Sequence, residues 1–185
     1  MDTRDRIVRS AAKLFLTRSY HAVGIADLCA AADVHRGSFY HFFPGKADVA
    51  KAVVDLHAAE FDKQFTAAEE HGLYAVATAV TTVQTRFEEK FGRIVGCPFG
   101  NLAAELATTD DDLRRYVADV FQSWEDRLVK ACLAADLRPG FDPYDLARTI
   151  LAQIQGLILL AKVQSRPATE ITAGIRTLIK GAVTP

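Results

Sequence analysis

Hydrophobic residues recur every three to four positions along most of the chain, and no segment alternates hydrophobic and polar residues. A period near 3.6 is typical of amphipathic helices, whereas a period of two is typical of half-buried strands. The pattern therefore predicts an all-α protein of about nine helices. They cover approximately residues 3–18, 25–32, 36–42, 44–71, 74–91, 97–106, 110–128, 143–164 and 169–183.

Two of the shortest predicted helices lie close together in residues 25–43. Ile25, Leu28 and Cys29 share one face of the first, and Asp33-Val34 makes the turn, of three to four residues, before the second. Two helices joined by such a turn form a helix-turn-helix, whose second helix enters the major groove of DNA. The residues expected to be exposed on that second helix carry donors suited to phosphates and base edges. They are Arg36, Ser38, Tyr40 and His41, with Phe39, Phe42 and Phe43 as the expected anchors beneath them.

The segment VHRGSFYHFFPGK, preceded by GIADLCAAAD, resembles the DNA-binding helices of the tetracycline-repressor (TetR) family of transcriptional regulators. The resemblance covers residues 6–54 and rests on the order of Gly37-Ser38, Tyr40, Phe43-Pro44 and Lys46. It implies a helix-turn-helix head in residues 1–62 and a ligand-binding and dimerisation domain in residues 63–185. It also adds residues to the expected DNA contacts, which become His35, Arg36, Gly37, Ser38, Tyr40, His41 and Lys46.

Two positions depart from the family pattern. Gly24 stands where the family usually has Thr or Ser capping the first of the two helices, and His35 stands where a Ser usually caps the second. Glycine is a tolerable N-cap, but it offers no side-chain acceptor. We therefore expect the fold to be kept and the contacts at these two positions to differ from those of the family.

Charge is distributed unevenly along the 185 residues. Residues 1–51 hold eight Lys/Arg and five Asp/Glu, a net charge of +3, and the remaining residues hold fourteen and eighteen, a net charge of −4. A basic head on an acidic body suits a protein that touches DNA at one end. Half of the residues are hydrophobic, which is enough to bury a core.

Composition also restricts the compartment. The three cysteines, at positions 29, 97 and 132, show no paired spacing, which favours reduced thiols over a disulfide framework or a zinc site. The start of the chain is charged and lacks the apolar core of a signal peptide. The most apolar run, residues 156–161, is too short to span a bilayer. We expect a cytoplasmic protein with no membrane partner, no cofactor and no metal.

Cys97 lies in the segment GCPFGNLAAEL, which resembles a motif in one branch of the family that responds to small reactive or lipophilic compounds. It directly precedes a helix that starts at Pro98, and a helix N-terminus lowers the pKa of a nearby thiol. Cys97 is therefore a possible sensor of oxidants or electrophiles. The alternative is a buried, inert cysteine that holds a tight bend.

The last two predicted helices resemble the dimerisation pair of the family. They carry more apolar surface than one neighbour can cover, so two subunits would form a four-helix bundle. The alternative is that these faces only close the core of one chain. The residues expected in the dimer interface are Leu151, Ile154, Gly156, Leu160, Ile171, Ile175 and Leu178.

The resemblance implies a ligand-responsive regulator, in the main a repressor, that binds a palindromic operator as a homodimer. A small hydrophobic or reactive effector would enter the second domain and release the DNA. Aromatic residues suit such a pocket, although each one would equally suit a plain core. The aromatic candidates are Phe61, Phe65, Phe87, Phe91, Phe99, Phe121 and Trp124.

Two other classes of protein are the alternatives to a DNA-binding regulator. A helical enzyme is disfavoured because the sequence has no GxxxxGK[ST], HExxH or GxSxG motif, so we expect no catalytic activity. A protein-interaction module that uses the helix-turn-helix as its binding surface is the other alternative.

Overall fold

A computed structural model of the chain describes the backbone of residues 2–69 and 71–184, with the side chains of these residues except 63–65 and 67–69. Nine α-helices lie in the described part of the chain, and the prediction of an all-α fold is confirmed. They are α1 (Thr3–Arg18), α2 (Ile25–Ala32), α3 (Arg36–Phe42), α4 (Lys46–Glu69), α5 (Leu73–Phe91), α6 (Pro98–Leu106), α7 (Asp111–Leu133), α8 (Pro143–Gln164) and α9 (Ala168–Ala182).

Two helix starts are fixed by capping residues that can be recognised in the sequence. The Asp2 carboxylate caps α1 by accepting from the N–H of Asp5 at 2.7 Å. Asp142 caps α8 by accepting from the N–H groups of Tyr144 and Asp145, with Pro143 in the first turn, where a missing N–H costs nothing. The N–H groups in the first turn of a helix lack intrahelical partners, so each such carboxylate fixes a helix start.

The helices divide between two compact units, and the division falls inside α4 and α7. The first unit contains residues 1–60 and 98–119. In it α1, α2 and α3 pack against one another, and α6 packs on α1. Ile7, Leu28 and Phe39 are fully buried there. Burial of each such side chain stabilises the unit by about 1.5–3 kcal/mol.

The second unit contains residues 61–97 and 120–185, and α9 is its central helix because it packs against both α5 and α8. Ile171, Ile175 and Ile179 of α9 are buried. A Cβ added at Gly174 would lie 2.7 Å from Leu157 Cδ1. The missing side chain at this position therefore lets α8 and α9 approach closely.

Candidate nucleic-acid interface and buried cavity

The pair α2 and α3 forms the predicted helix-turn-helix. The N–H of Gly24 at the start of α2 donates to Asp27 Oδ2 at 2.8 Å, and Asp27 Oδ1 accepts from Arg18 at 3.0 Å. This carboxylate supplies the half of a capping box that needs no side chain at Gly24, because it accepts from the Gly24 N–H. The Gly24 N–H, followed by Arg18, holds the pKa of Asp27 below its ordinary value. Asp33 ends α2 in the left-handed conformation with φ of 53°.

Two of the three predicted aromatic anchors are buried beneath α3 and fix its position. Phe39 is 0% exposed and Phe43 is 3% exposed, and their ring centroids lie 6.1 Å apart. The prediction that Phe42 is a third anchor is wrong, because its side chain is 37% exposed. In a helix this short, Phe39 and Phe43 lie one turn apart and Phe42 turns away from the face they share.

The predicted DNA-contacting residues of α3 lie on its accessible side. His35, Arg36, Gly37, Tyr40 and His41 are exposed, and Ser38 is half-buried. Tyr40 is 48% exposed, and its ring packs edge-on against Phe39 with a centroid distance of 5.4 Å. The rigid anchor therefore fixes the direction of a phenol whose hydroxyl can donate to a phosphate.

Lys46, at the start of α4, has two contacts within the first unit. Its ammonium donates to the backbone carbonyls of Tyr20 and Val23, each at 3.1 Å, and lies 4.1 Å from the centre of the Tyr20 ring. Burial lowers the pKa of Lys46, and the carboxylate of Glu105 acts in the opposite sense. An ammonium has three N–H donors, so Lys46 holds the loop between α1 and α2 with two of them.

Glu105 of α6 holds the same loop and was not identified from the sequence. Its carboxylate accepts from the N–H of Tyr20 at 3.1 Å and from the N–H of His21 at 2.9 Å. The loop is thereby clamped from both sides, with its carbonyls on Lys46 and its N–H groups on Glu105. No local pattern reveals this clamp, because Glu105 follows Tyr20 by 85 positions.

The second unit contains a small pocket, whose empty space of about 350 Å³ includes a part that is open to solvent. Its walls are mainly apolar and come from α4, α5, α7, α8 and the segment before α6. The lining residues are Phe61, Val80, Gln84, Cys97, Trp124, Leu128, Leu151, Ile154, Gln155 and Ile158. Phe61 and Trp124 stack at 5.2 Å with an angle of 22° between the rings, so two of the predicted pocket aromatics lie together in the lining.

None of the other predicted pocket aromatics is among the described lining residues. Phe121 packs edge-on against Trp124 at 5.7 Å and supports the wall from outside the lining. Phe87 and Phe91 pack against each other at 6.2 Å and are not among the described lining residues. Phe99 is fully buried in the first unit. The side chain of Phe65 lies outside the described residues.

Two glutamines in the cavity wall were not predicted as site residues. Gln84 is 1% exposed, and its Oε1 has no hydrogen-bond partner among the described residues. The same is true of the buried Nε2 of Gln155. In the sequence these residues look like ordinary surface positions of two helices, and their burial depends on how the helices pack.

The predicted sensor Cys97 also lines the cavity and is 4% exposed. Cys29 and Cys132 are buried too, and desolvation raises the pKa of the Cys132 thiol to about 11. Cys97 therefore differs from the other two by its place in a cavity wall, while its reactivity stays a prediction.

The predicted dimer interface mixes exposed and buried residues. Ile154, Ile171 and Ile175 are at most 4% exposed within one chain and lie in the core of the second unit. Their place in a dimer interface stays a prediction. Leu151 lines the cavity, and Leu178 is half-buried.

The exposed apolar face lies on one side of α8 instead. Leu159, Leu160 and Val163 are 59%, 51% and 73% exposed, and Gly156 is exposed with open space beside it. By length and composition α8 is apolar enough to cross a membrane, with a mean hydropathy of 1.4. That apolarity belongs to a helix with one face in the core and another exposed.

In comparisons with known proteins, the N-terminal and the C-terminal parts of the chain both match families of transcriptional regulators. A family described as bacterial regulatory proteins, tetR family, matches residues 7–53. A second, described as the C-terminal domain of LmrA/YxaF-like transcriptional regulators, matches residues 72–182.

Individual relatives match over most of their length. The uncharacterized HTH-type transcriptional regulator YxaF of Bacillus subtilis is 33% identical, covering 86% of this chain and 85% of its own. The HTH-type transcriptional repressor NemR of Escherichia coli is 28% identical, covering 96% and 94%. A crystal structure of a regulatory protein TetR from Rhodobacter sphaeroides aligns with a TM-score of 0.82 and 25% identity over 97% of this chain and 98% of that one.

The helix-turn-helix, its family match and the match of the remaining helices agree, and this chain belongs to the TetR family of bacterial DNA-binding transcriptional regulators, with a C-terminal domain of the LmrA/YxaF-like type.

Proposed function

We propose that this regulator is a ligand-responsive repressor that binds a palindromic operator as a homodimer and leaves it when a small, mainly apolar effector occupies the cavity. The observation that carries the proposal is the presence, in one chain, of an exposed α3 on a fully buried Phe39 and of a mainly apolar pocket in the second unit. The first feature suits DNA, and the second suits a small molecule.

On the DNA side, α3 supplies two kinds of contact. Arg36 and Ser38, in its first turn, read base edges, because the N-terminal residues of a recognition helix reach into the major groove. The remaining side chains position the protein on phosphates. The phosphate-contacting set comprises His35, Tyr40, His41 and Lys46, with the backbone N–H of Gly37. Lys46 would use the donor that its two carbonyl contacts leave.

The homodimer is proposed to form through the exposed side of α8. Leu159, Leu160 and Val163 lie within two turns, and Gly156 lies one turn before Leu160. Two copies of this face, related by a two-fold axis, would cover each other's apolar surface. A homodimer with two-fold symmetry carries two α3 helices, and the operator is therefore expected to be a palindrome.

On the effector side, binding in the cavity and binding to DNA are linked. An effector can weaken DNA binding only by the ratio of its affinities for the two conformations. Two kinds of effector fit the lining. One binds reversibly against Phe61 and Trp124, and the other reacts with the Cys97 thiol, which stands in the same wall.

DNA selection tests the proposal. Duplexes recovered from a random pool by the full-length protein should converge on two inverted half-sites whose centres are one helical turn, about 10 base pairs, or a multiple apart. Arg36→Ala should lose preference at defined positions of each half-site. A pool that stays random at all salt concentrations would defeat the proposal.

The only tryptophan in the sequence, Trp124, stands in the cavity wall and reports on ligands there. An uncharged one-ring compound that changes its fluorescence should also lower affinity for the selected duplex. Cys97→Ser separates the two kinds of effector, because it keeps the response to a reversible ligand and loses the response to an electrophile.

A further inference from the structure

Resting on the proposed effector role of the cavity, we propose that its ligand is an uncharged, mainly apolar molecule carrying both a hydrogen-bond donor and an acceptor, which Gln84 and Gln155 recognise. Both glutamines line the cavity. The donor of the ligand meets Oε1 of Gln84, and the acceptor meets Nε2 of Gln155.

The described part of the wall holds no charged side chain, which disfavours an ionic ligand. None of the ten described lining residues carries a charged side chain. An ion moved from water into such surroundings would lose its hydration without gaining a counter-charge. A carboxylate or an ammonium would therefore bind far more weakly than a neutral molecule of the same shape.

The two glutamines define the polar group that the ligand needs. Oε1 of Gln84 is a buried acceptor and Nε2 of Gln155 is a buried donor, and neither has a hydrogen-bond partner among the described residues. A buried polar atom without a partner destabilises a fold. A ligand that forms hydrogen bonds with both atoms removes this cost as it binds, whereas both atoms stay without a hydrogen bond when an apolar ligand of the same size is bound.

The lining also favours a ligand that contains a ring, because two aromatic side chains stand in it. Phe61 and Trp124 stack on each other at 5.2 Å, and an aromatic ring of the ligand would pack against this pair. A primary carboxamide on a benzene ring is the simplest molecule with all of these properties.

Four probes of one size isolate each property. Benzamide has a donor and an acceptor, acetophenone has only an acceptor, ethylbenzene has neither, and benzoate is an anion. Titration calorimetry and Trp124 fluorescence on the full-length protein should give benzamide an affinity at least about 10-fold above that of acetophenone and ethylbenzene, and benzoate the lowest. A factor of ten corresponds to about 1.4 kcal/mol.

Variants connect the preference to the two side chains. Gln84→Met and Gln155→Met keep the side-chain length and remove the polar atoms. Each should reduce the preference for benzamide over ethylbenzene about 10-fold and should leave the melting temperature of the free protein equal or higher. Should one variant fail to fold, the other carries the same test.

Gln153→Met is the matched control. This residue lies on α8 two positions before Gln155, but its Nε2 donates to the carbonyl of Gly174 at 2.9 Å. Its replacement should lower the melting temperature and leave the order of the four probes unchanged.

Equal or stronger binding of ethylbenzene or benzoate, an unchanged preference in both glutamine variants, or no binding of any probe would each overturn this inference. None of these outcomes touches the proposed DNA-binding function, which fails separately if selection yields no defined duplex.

Discussion

Removal of the Glu105 carboxylate should loosen the loop that joins α1 to α2 and thereby weaken both the first unit and its DNA binding. In Glu105→Ala the N–H groups of Tyr20 and His21 lose acceptors at 3.1 and 2.9 Å. A hydrogen bond to a charged group contributes about 1.5–3 kcal/mol. Because the site is only partly buried and water can replace part of the loss, we expect a total cost of about 2 kcal/mol.

For a chain of this size, 1 kcal/mol lowers the melting temperature by roughly 2–4 °C. Thermal unfolding followed by circular dichroism should therefore show a fall of about 4–8 °C. Glu105→Gln, which keeps one acceptor, should fall by about half as much. Glu89→Ala, which removes an exposed carboxylate on α5, is the control and should shift the midpoint by less than about 1 °C. A midpoint for Glu105→Ala that equals that of the control would refute the clamp.

Three further predictions concern DNA, the dimer and pH. Tyr40→Phe should weaken binding to all duplexes alike and leave the slope of log affinity against log salt nearly unchanged, because an uncharged phenol releases no counterion, whereas Arg36→Ala should relax base preference; the reverse result would exchange their roles. Gly156→Leu should keep the helical circular dichroism spectrum, because no described atom outside the neighbouring backbone of α8 lies within 4 Å of the added Cβ, yet should sediment as a monomer; a stable dimer would place the interface elsewhere. The Gly24 N–H and, as the second cause, Arg18 lower the pKa of Asp27 in the folded state below its ordinary value of 3.8. The stability that the Asp27 carboxylate contributes is therefore complete above pH 3.8 and is lost as the pH falls through the lower pKa of the folded state. Asp27→Asn should therefore reduce the loss of stability in that acid range, and an unchanged pH profile measured by urea unfolding would contradict the assignment.

The helices were predictable because their signals are local. Asp2 and Pro143 mark helix starts, and the apolar period of 3.6 continues between the breaks. The predicted bounds of α2, α3 and α8 agree with those observed, since each is set by a cap, a turn or a proline. The helix-turn-helix was predictable for the same reason.

The cavity and the clamp were not predictable, because they depend on packing between distant segments. Hydrophobic periodicity identifies an inner face, but it does not say whether that face meets its own chain or a second copy. Ile175 was therefore placed in the dimer interface although it is 1% exposed within one chain. Gln84 and Glu105 carry polar groups on helices, and from the sequence alone such side chains are expected to be exposed to solvent.

The central claim is that α3 of this regulator recognises a defined DNA sequence. Its most direct test compares the affinity of the full-length protein for the duplex recovered by selection with that for a scrambled duplex of the same length and composition, at about 0.15 M salt. The account predicts a ratio of at least about 1,000, reduced strongly in Arg36→Ala. Equal affinity for the two duplexes, with the same salt dependence, would contradict it.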